Sequence, residues 1–333
     1  MTPEQRAKQL VDQIVNLAFN QMAPEIQTLV GHMWPDTDAW LCLWIARKFI
    51  PRTANAEIVF VNAGESLSGF EDDPSVLHFD TGGGPFDQHG KGLKRTSSAM
   101  LLACHLKIQN DPGLKALLNL TVMVDNVEKL SPTNLHYIIE GLPRIHRGTD
   151  NLPDWAAVQK TVFDMFSIVY GQETGRQRSR NDLENHAGFY TLPNGIRFTE
   201  LSGHPGLRAA AFERGADVVL WTQPKKRGFY VGVQVNRRSK VVLTGVAENL
   251  RRAEAAAREL AVEDQNFNYI GREENGNPVR NWFLHDSLKL VLCGSRTWEL
   301  TDEEFTRLNV RQICETVRQA LEKISEQAVR GQG

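Results

Sequence analysis

An apolar run, Leu29-Val30-Gly31, passes into His32-Met33-Trp34-Pro35-Asp36-Thr37-Asp38-Ala39 and then into a second apolar run that ends at Phe49. Proline pushes the residue before it out of the α region, and aspartate accepts from the free N–H groups of a helix start. The stretch therefore reads as a strand from Glu25 to His32, a tight turn, and a buried helix. One imidazole and two carboxylates are left at the strand's C-terminal end, the edge of an open α/β sheet where ligands bind. His32 with a single aspartate reads equally well as a buried histidine beside a helix cap. Two neighbouring carboxylates between apolar elements are harder to accommodate without a compensating charge.

The chain goes on in the same grammar. Glu57–Val61 reads as a second strand and Ser75–Phe79 as a third that delivers Asp80; strand, helix, strand, loop, strand is the order of a parallel α/β sheet. Glycines and Pro85 between Asp80 and His89 let backbone approach an ion or phosphate without Cβ interference, although an ordinary glycine-rich turn has the same composition. Lys91, Lys94 and Arg95 precede Thr96, Ser97 and Ser98, which open an apolar run from Ala99 to Leu106. Hydroxyls and free N–H groups at a helix start, with cations beside them, suit an oxyanion. Leu114–Leu120 reads as helix, Thr121–Val124 as a short strand ending at Asp125, and Trp155–Tyr170 as a further helix.

Gly31-His32-x-x-Pro35-Asp36-x-Asp38-Ala39 resembles the first motif of the DHH phosphoesterase superfamily, which includes RecJ-type nucleases, nano-RNA phosphodiesterases and family II inorganic pyrophosphatases. The pyrophosphatase form is especially similar. The segment Phe79–His89, with Thr96–Ala99 after it, is more like the Myg-type metal-dependent hydrolases, and Val124-Asp125-Asn126 completes the series. The resemblance covers residues 27–130 in family order. It implies two divalent ions: His32 and Asp36 serving the first, Asp38 and Asp125 the second, and Asp80 bridging both. Oxygen ligands with a few imidazoles suit Mn²⁺ or Mg²⁺, and His32 and His89 tilt the choice to Mn²⁺. Asp38, Asp80 and His89 are the expected catalytic set, with two-metal activation of water as the chemistry. The departure is Gln88, an amide where the family's Asp-His-His has its first histidine. Either His89 takes over as ligand, or the second metal binds weakly and arrives with substrate, or catalysis is lost.

Composition narrows the remaining choices. A formal net charge of −2 gives no global argument for nucleic-acid binding, though a local basic groove remains open. No long apolar run is present and the N-terminus, with charged residues through Asp12, lacks a signal peptide's apolar centre, so no membrane partner and a cytoplasmic location are expected. Cys42, Cys104, Cys293 and Cys314 match no zinc or redox spacing and read as reduced packing residues.

The expected fold is α/β: a parallel-sheet DHH-type domain over residues 1–170, opened by a helical stripe at residues 3–22, then a polar, basic linker at 171–187. A smaller α/β or α+β substrate-binding domain, 188–333, would follow across a cleft. Its strands are expected at Phe189–Leu192, Asp217–Thr222, Phe229–Val235, Lys240–Leu243, Trp282–Phe283 and Leu288–Leu292, with a helix from Glu248 to Leu260. Lys225, Lys226, Arg227, Arg237, Arg238 and Lys240 surround Phe229 and Tyr230, a mixture that suits a single strand of nucleic acid and equally a half-exposed hairpin. His204 with Arg208, and His285 with Arg296, join Lys91, Arg95, Thr96, Ser97 and Ser98 as candidates for holding phosphate. The leading expectation is a metal-dependent phosphodiesterase, exonuclease-like, acting on a nucleotide or short single-stranded oligonucleotide. Inorganic pyrophosphatase, or a catalytically impaired nucleotide sensor or scaffold, are the alternatives.

Overall fold

The computed structural model describes residues 25–70, 73–89, 91–93, 95–203, 206–261, 265–272, 279–295 and 297–324. The stripe at residues 3–22, Lys94, His204 and Arg296 lie outside them. The chain divides into two compact units, Met1–Thr174 and Gly175–Gly333.

In the first unit, strands β1 (Thr28–His32), β2 (Glu57–Val61) and β3 (Val76–His78) form a parallel sheet in the order β2-β1-β3. Register aligns Leu29 with Ile58 on one side and Leu77 on the other. The middle strand, β1, is sealed at Leu29, Val30 and Gly31, as a parallel strand covered on both faces must be. Helix α1 (Thr37–Phe49) is buried at every residue from Thr37 to Ala46, so its apolar sequence all round is matched by its surroundings. Helices α2 (Ser98–His105), α3 (Lys115–Asp125), α4 (Leu135–Ile145) and the long α5 (Trp155–His186) complete the set.

One expectation fails here for an identifiable reason. Thr121–Val124 is not a strand; it is the last turn of α3, because Leu117, Leu118 and Thr121 are buried at helical spacing and the Thr121 hydroxyl donates to the Leu118 carbonyl (3.0 Å). β-branched residues there follow their packing rather than their propensity. Residues 171–187, the expected linker, contain the boundary between the two units and are helical as far as His186, with Ala187 opening the next strand. Polar residues continue this helix because they pair along it, Gln177 donating to Asn181 (3.0 Å), and beyond it, Arg180 with Glu213 and Glu184 with Arg214 (both 2.7 Å), while Leu183 is buried.

The second unit is built on a six-stranded mixed sheet, β4 (Ala187–Thr191), β5 (Arg197–Ser202), β6 (Val218–Lys225), β7 (Gly228–Val235), β9 (Leu290–Cys293) and β8 (Phe283–Leu284), in that spatial order. Only β5 and β6 pair in parallel. Helices α6 (Leu207–Glu213), α7 (Thr244–Ala257) and α8 (Val310–Glu322) belong to this unit, and α7 and α8 contribute Leu250, Ile313 and Val317 to its core. Lys240–Leu243 is not a strand: Val241 and Leu243 are buried singly on the approach to α7. The described residues thus combine a parallel α/β unit with a second, largely antiparallel unit of helices and strands, and no helix among them is long and apolar enough to cross a membrane.

Candidate metal centre

Because β1 and β3 lie side by side and run the same way, the residues leaving the two strands emerge at one edge of the sheet. His32 ends β1 and Asp80 comes two residues after β3, and His32 Nε2 stands 3.3 Å from Asp80 Oδ2. The His32 Nδ1 is 2.9 Å from the Met33 carbonyl; a proton donated there leaves Nε2 as the nitrogen that faces the Asp80 carboxylate. Asp36 caps α1, its Oδ1 accepting from the Asp38 and Ala39 N–H groups at 2.8 and 3.0 Å. His32, Asp36 and Asp80 each present a ligand atom within 4.8 Å of the others'. Asp80 itself has φ of 53°, the left-handed region, a conformation that Asp tolerates better than most residues.

Asp38 occupies the place that the sequence offers to a phosphate. Its Oδ2 accepts from the Ser98 N–H (2.7 Å) and its Oδ1 from the Ala99 N–H (3.0 Å), so the free donors at the start of α2 are taken by the chain's own carboxylate. The Ser97 hydroxyl caps the same helix by accepting from Met100 and bonds Thr121 (2.8 Å). Ser98's hydroxyl is shared between Asp80 Oδ1 (3.0 Å) and Gln88 Oε1. Ser97 and Ser98 are therefore internal struts, not open anion donors. Thr96 is half-buried, Arg95 turns to Glu128 (3.2 Å), and Lys91 donates to the Gly84 carbonyl.

The glycine-rich loop likewise closes on a carboxylate of its own. Asp87 Oδ2 accepts from the Gly83 N–H (2.9 Å), and Asp87 Oδ1 accepts from the His89 N–H and lies 2.9 Å from His89 Nδ1. Asp80, Asp87 and His89 form a second set of ligand atoms within 4.8 Å of one another, with Asp80 common to both sets. Asp87 is not among the residues that the sequence singles out; its signal lies in Asp87-Gln88-His89, where the substituted histidine is the more conspicuous feature. Gln88 fills its position by a different chemistry, its Nε2 donating to Asp125 Oδ2 (2.8 Å) at the end of α3.

The electrostatics show how crowded the acids are. Burial, then the charges of Asp125, Asp80 and Asp36, hold the Asp38 carboxyl well above the usual range. Burial and the Asp80 charge push Asp36 up as well. Asp125 is carried to about 7 by burial and by Asp36 and Asp80. Burial pulls His32 down, but its bonds to Asp80 and Met33 and the charges of Asp36 and Asp80 outweigh this and set it at about 9. Crowded carboxylates oppose one another's ionisation, so the cluster holds protons unless a cation replaces them. Carboxylate oxygens with imidazole nitrogens are the donor set of a hard or borderline divalent cation, and the residues present fit one.

The remaining candidates belong to the second unit. Arg208 lies over the Trp221 ring (4.3 Å) and donates to Gln234 (3.3 Å). His285 Nδ1 accepts from the Ser287 N–H (3.0 Å), and His285 lines a cleft of about 400 Å³ with Gln234, Arg237 and Lys289. In the basic hairpin, Tyr230 is buried between Phe305, stacked at 6.0 Å, and Lys225, 4.5 Å above its ring, so it offers no free face to a base.

No family model matches the chain, and no curated protein does. Among the solved structures similar to it is a DHH domain. That structure, described as a member of the s1p family of ribosomal proteins, is 12% identical, with a TM-score of 0.31 over 97% of this chain and 91% of its own. A pGpG-specific phosphodiesterase, PggH from Vibrio cholerae, is 10% identical with a TM-score of 0.29, over 66% of this chain and 87% of that one. An exopolyphosphatase-related protein from Bacteroides fragilis is 10% identical with a TM-score of 0.26, over 97% and 98%. Likeness this distant leaves the chemistry to be argued from the side chains.

Proposed function

We propose that the chain is a divalent-cation-dependent phosphohydrolase of DHH type that cleaves phosphodiester bonds in nucleotides or short oligonucleotides. The observation that carries this reading is the convergence of His32, Asp36, Asp38, Asp80 and Asp125, with burial and then mutual charge raising the proton affinity of Asp36, Asp38 and Asp125. His32, Asp36 and Asp80 would hold one cation, and Asp80, Asp87 and His89 a second. Bound there, Mn²⁺ or Mg²⁺ would polarise phosphoryl oxygens and make water a better nucleophile.

The protein's own part is positioning. Met33's carbonyl fixes the His32 ring, Asp87 fixes the His89 ring, and Ser98 steadies the shared carboxylate of Asp80. Asp38 in turn secures Ser98 by holding the start of α2. His89, with a side chain 69% exposed, stands at the open side of the cluster, where a substrate phosphate would reach the cation it helps to hold.

Gln88 supports a second reading, a nucleotide-binding protein with little turnover, because its amide already supplies Asp125 with a donor where a ligand would otherwise stand. Equilibrium Mn²⁺ binding, followed by incubation with short RNA, short DNA, cyclic dinucleotides and pyrophosphate, separates the two. Mn²⁺-stimulated release of mononucleotides is expected; tight nucleotide binding without turnover at any Mn²⁺ concentration would favour the second reading. No binding of either kind would defeat both.

A further inference from the structure

Two large apolar side chains are held in water beside the acid cluster, each on unfavourable backbone. Trp34 lies two residues from both His32 and Asp36, is 62% exposed, and has φ of 54°. A bulky residue before proline rarely takes that region. Val127 lies two residues beyond Asp125, is 90% exposed, and has φ of 53°. It occupies the left-handed position after α3, where the Val127 N–H donates to the Val124 carbonyl (2.9 Å) and Glu128's to Met123's (2.9 Å), a place glycine fills without cost. Both residues would be cheaper as something smaller or more polar. Strain and exposure together at a site point to contact with a ligand.

Trp34 is also anchored. Its ring meets Trp155 in a T-shaped contact, with centroids 5.4 Å apart and planes at 82°, and Trp155 is held in turn against Phe60 (5.6 Å) and Trp40 (6.5 Å). One side of the indole is therefore fixed on the buried aromatic cluster while most of it remains open. Two residues span at most about 7 Å of chain, so Trp34 is tethered within one short turn of the cation ligands His32 and Asp36 on either side of it.

We infer that Trp34 is the stacking platform for the nucleobase of a nucleotide whose phosphate is drawn to the acid cluster's cations, and that this platform selects nucleotides over base-free phosphates. The inference rests on the function proposed above and sharpens its substrate class. A flat π-surface held rigidly beside a phosphate-attracting centre matches a molecule with an aromatic ring one sugar away from its phosphate. Stacking does not read base identity, so purines should bind best by area and every base should bind.

The test is calorimetric titration of the Mn²⁺-loaded protein with adenosine monophosphate and with inorganic phosphate, for the wild type, Trp34→Gly and Trp34→Phe. Glycine accepts the positive φ, which protects folding, and thermal unfolding checks it. The nucleotide should bind roughly ten- to a hundredfold more weakly to Trp34→Gly, with inorganic phosphate changed less than twofold and Trp34→Phe recovering most of the loss. Equal losses for both ligands, or an unchanged nucleotide affinity, would overturn the inference. The two readings fail separately. Nucleotide hydrolysis with an affinity that Trp34→Gly leaves unchanged would leave the function standing and remove the platform. Nucleotide binding that depends on Trp34 without hydrolysis would do the reverse.

Discussion

Arg251 in the second unit and Asp38 in the first are both 0% exposed, but they have very different neighbours. Arg251 directs its guanidinium at the carbonyls of Trp282, Phe267, Tyr269 and Gly271, at 2.7–3.1 Å, and lies over the Tyr269 ring at 3.6 Å. One turn along the same helix, Glu254 accepts from Arg258 (2.7 Å), the Arg307 N–H (2.9 Å), Trp282 Nε1 (3.2 Å) and the Thr306 hydroxyl. Both charged side chains there meet partners supplied by the chain, carbonyls for Arg251 and donors for Glu254. The charges that act on Asp38 are those of Asp125, Asp80 and Asp36, of its own sign. Buried charge that finds its partners inside the chain serves the fold, whereas buried charge in excess of its partners calls for a counter-charge from solution.

Neutralising one residue in each region should move stability in opposite directions. Asp80→Asn removes the carboxylate common to both ligand sets and one of the charges that oppose Asp36, Asp38 and Asp125. Calorimetry should show Mn²⁺ binding lost, and hydrolysis should fall by about 10³-fold or more, some 4 kcal/mol of transition-state stabilisation. Without metal, the same variant should unfold at an equal or higher denaturant concentration than the wild type. Arg251→Leu, which orphans carbonyls in a dry interior, should instead cost about 3–5 kcal/mol in denaturant unfolding. If both variants destabilise alike, the contrast between the two regions is wrong.

The pH dependence sharpens the same comparison. His32, raised to about 9, contributes stability that is fully present below its ordinary value of 6.5 and disappears as pH rises through 9. Asp125 is a carboxyl raised from 3.8 to about 7, so its protonated form is the one the fold favours, and its contribution is lost as pH rises from about 4 to 7. Both signs agree. The metal-free protein should lose thermal stability between pH 6 and 9, Mn²⁺ should restore more of it the higher the pH, and Mn²⁺ binding should release protons. A metal-free melting temperature that rises over this range would contradict the electrostatic reading of the cluster.

How much of the site is legible in the sequence depends on how local each cause is. The turn from β1 into α1 is legible because Pro35 and Asp36 act on their immediate neighbours, and the sheet comes from apolar runs at strand length. The start of α2 is recognisable as a cap, but its pattern points to a phosphate. That Asp38, sixty residues earlier, occupies those N–H groups is a tertiary fact with no trace in the local pattern. Asp125 is expected at the end of an element of the wrong type, since Thr121-Val122-Met123-Val124 resembles a strand until Leu117 and Leu118 bury the same face of a helix. Arg197–Ser202 escapes recognition as a strand because only Phe198, Thr199 and Leu201 are buried, interrupted by charge. The role of Asp87 is hidden for the converse reason: it lies inside a recognisable motif whose altered second residue dominates the interpretation.

That second residue supplies the smallest and most local test. Gln88 joins Ser98 to Asp125 by accepting through Oε1 and donating through Nε2, so its amide supplies part of what the acids lack without adding a charge. A histidine at this position would exchange the amide donor for a nitrogen lone pair facing Asp125, turning a place where the cluster is partly satisfied into one that asks for a cation. Gln88→His should bind Mn²⁺ roughly tenfold more tightly in calorimetry, with the gain concentrated in the weaker of two binding events. The metal-free variant should unfold slightly earlier than the wild type, because Asp125 loses a neutral partner. Should the affinity and the number of bound ions both stay as they were, Gln88 is only a loop tether, and the first unit would be more internally complete than the contrast with Arg251 requires.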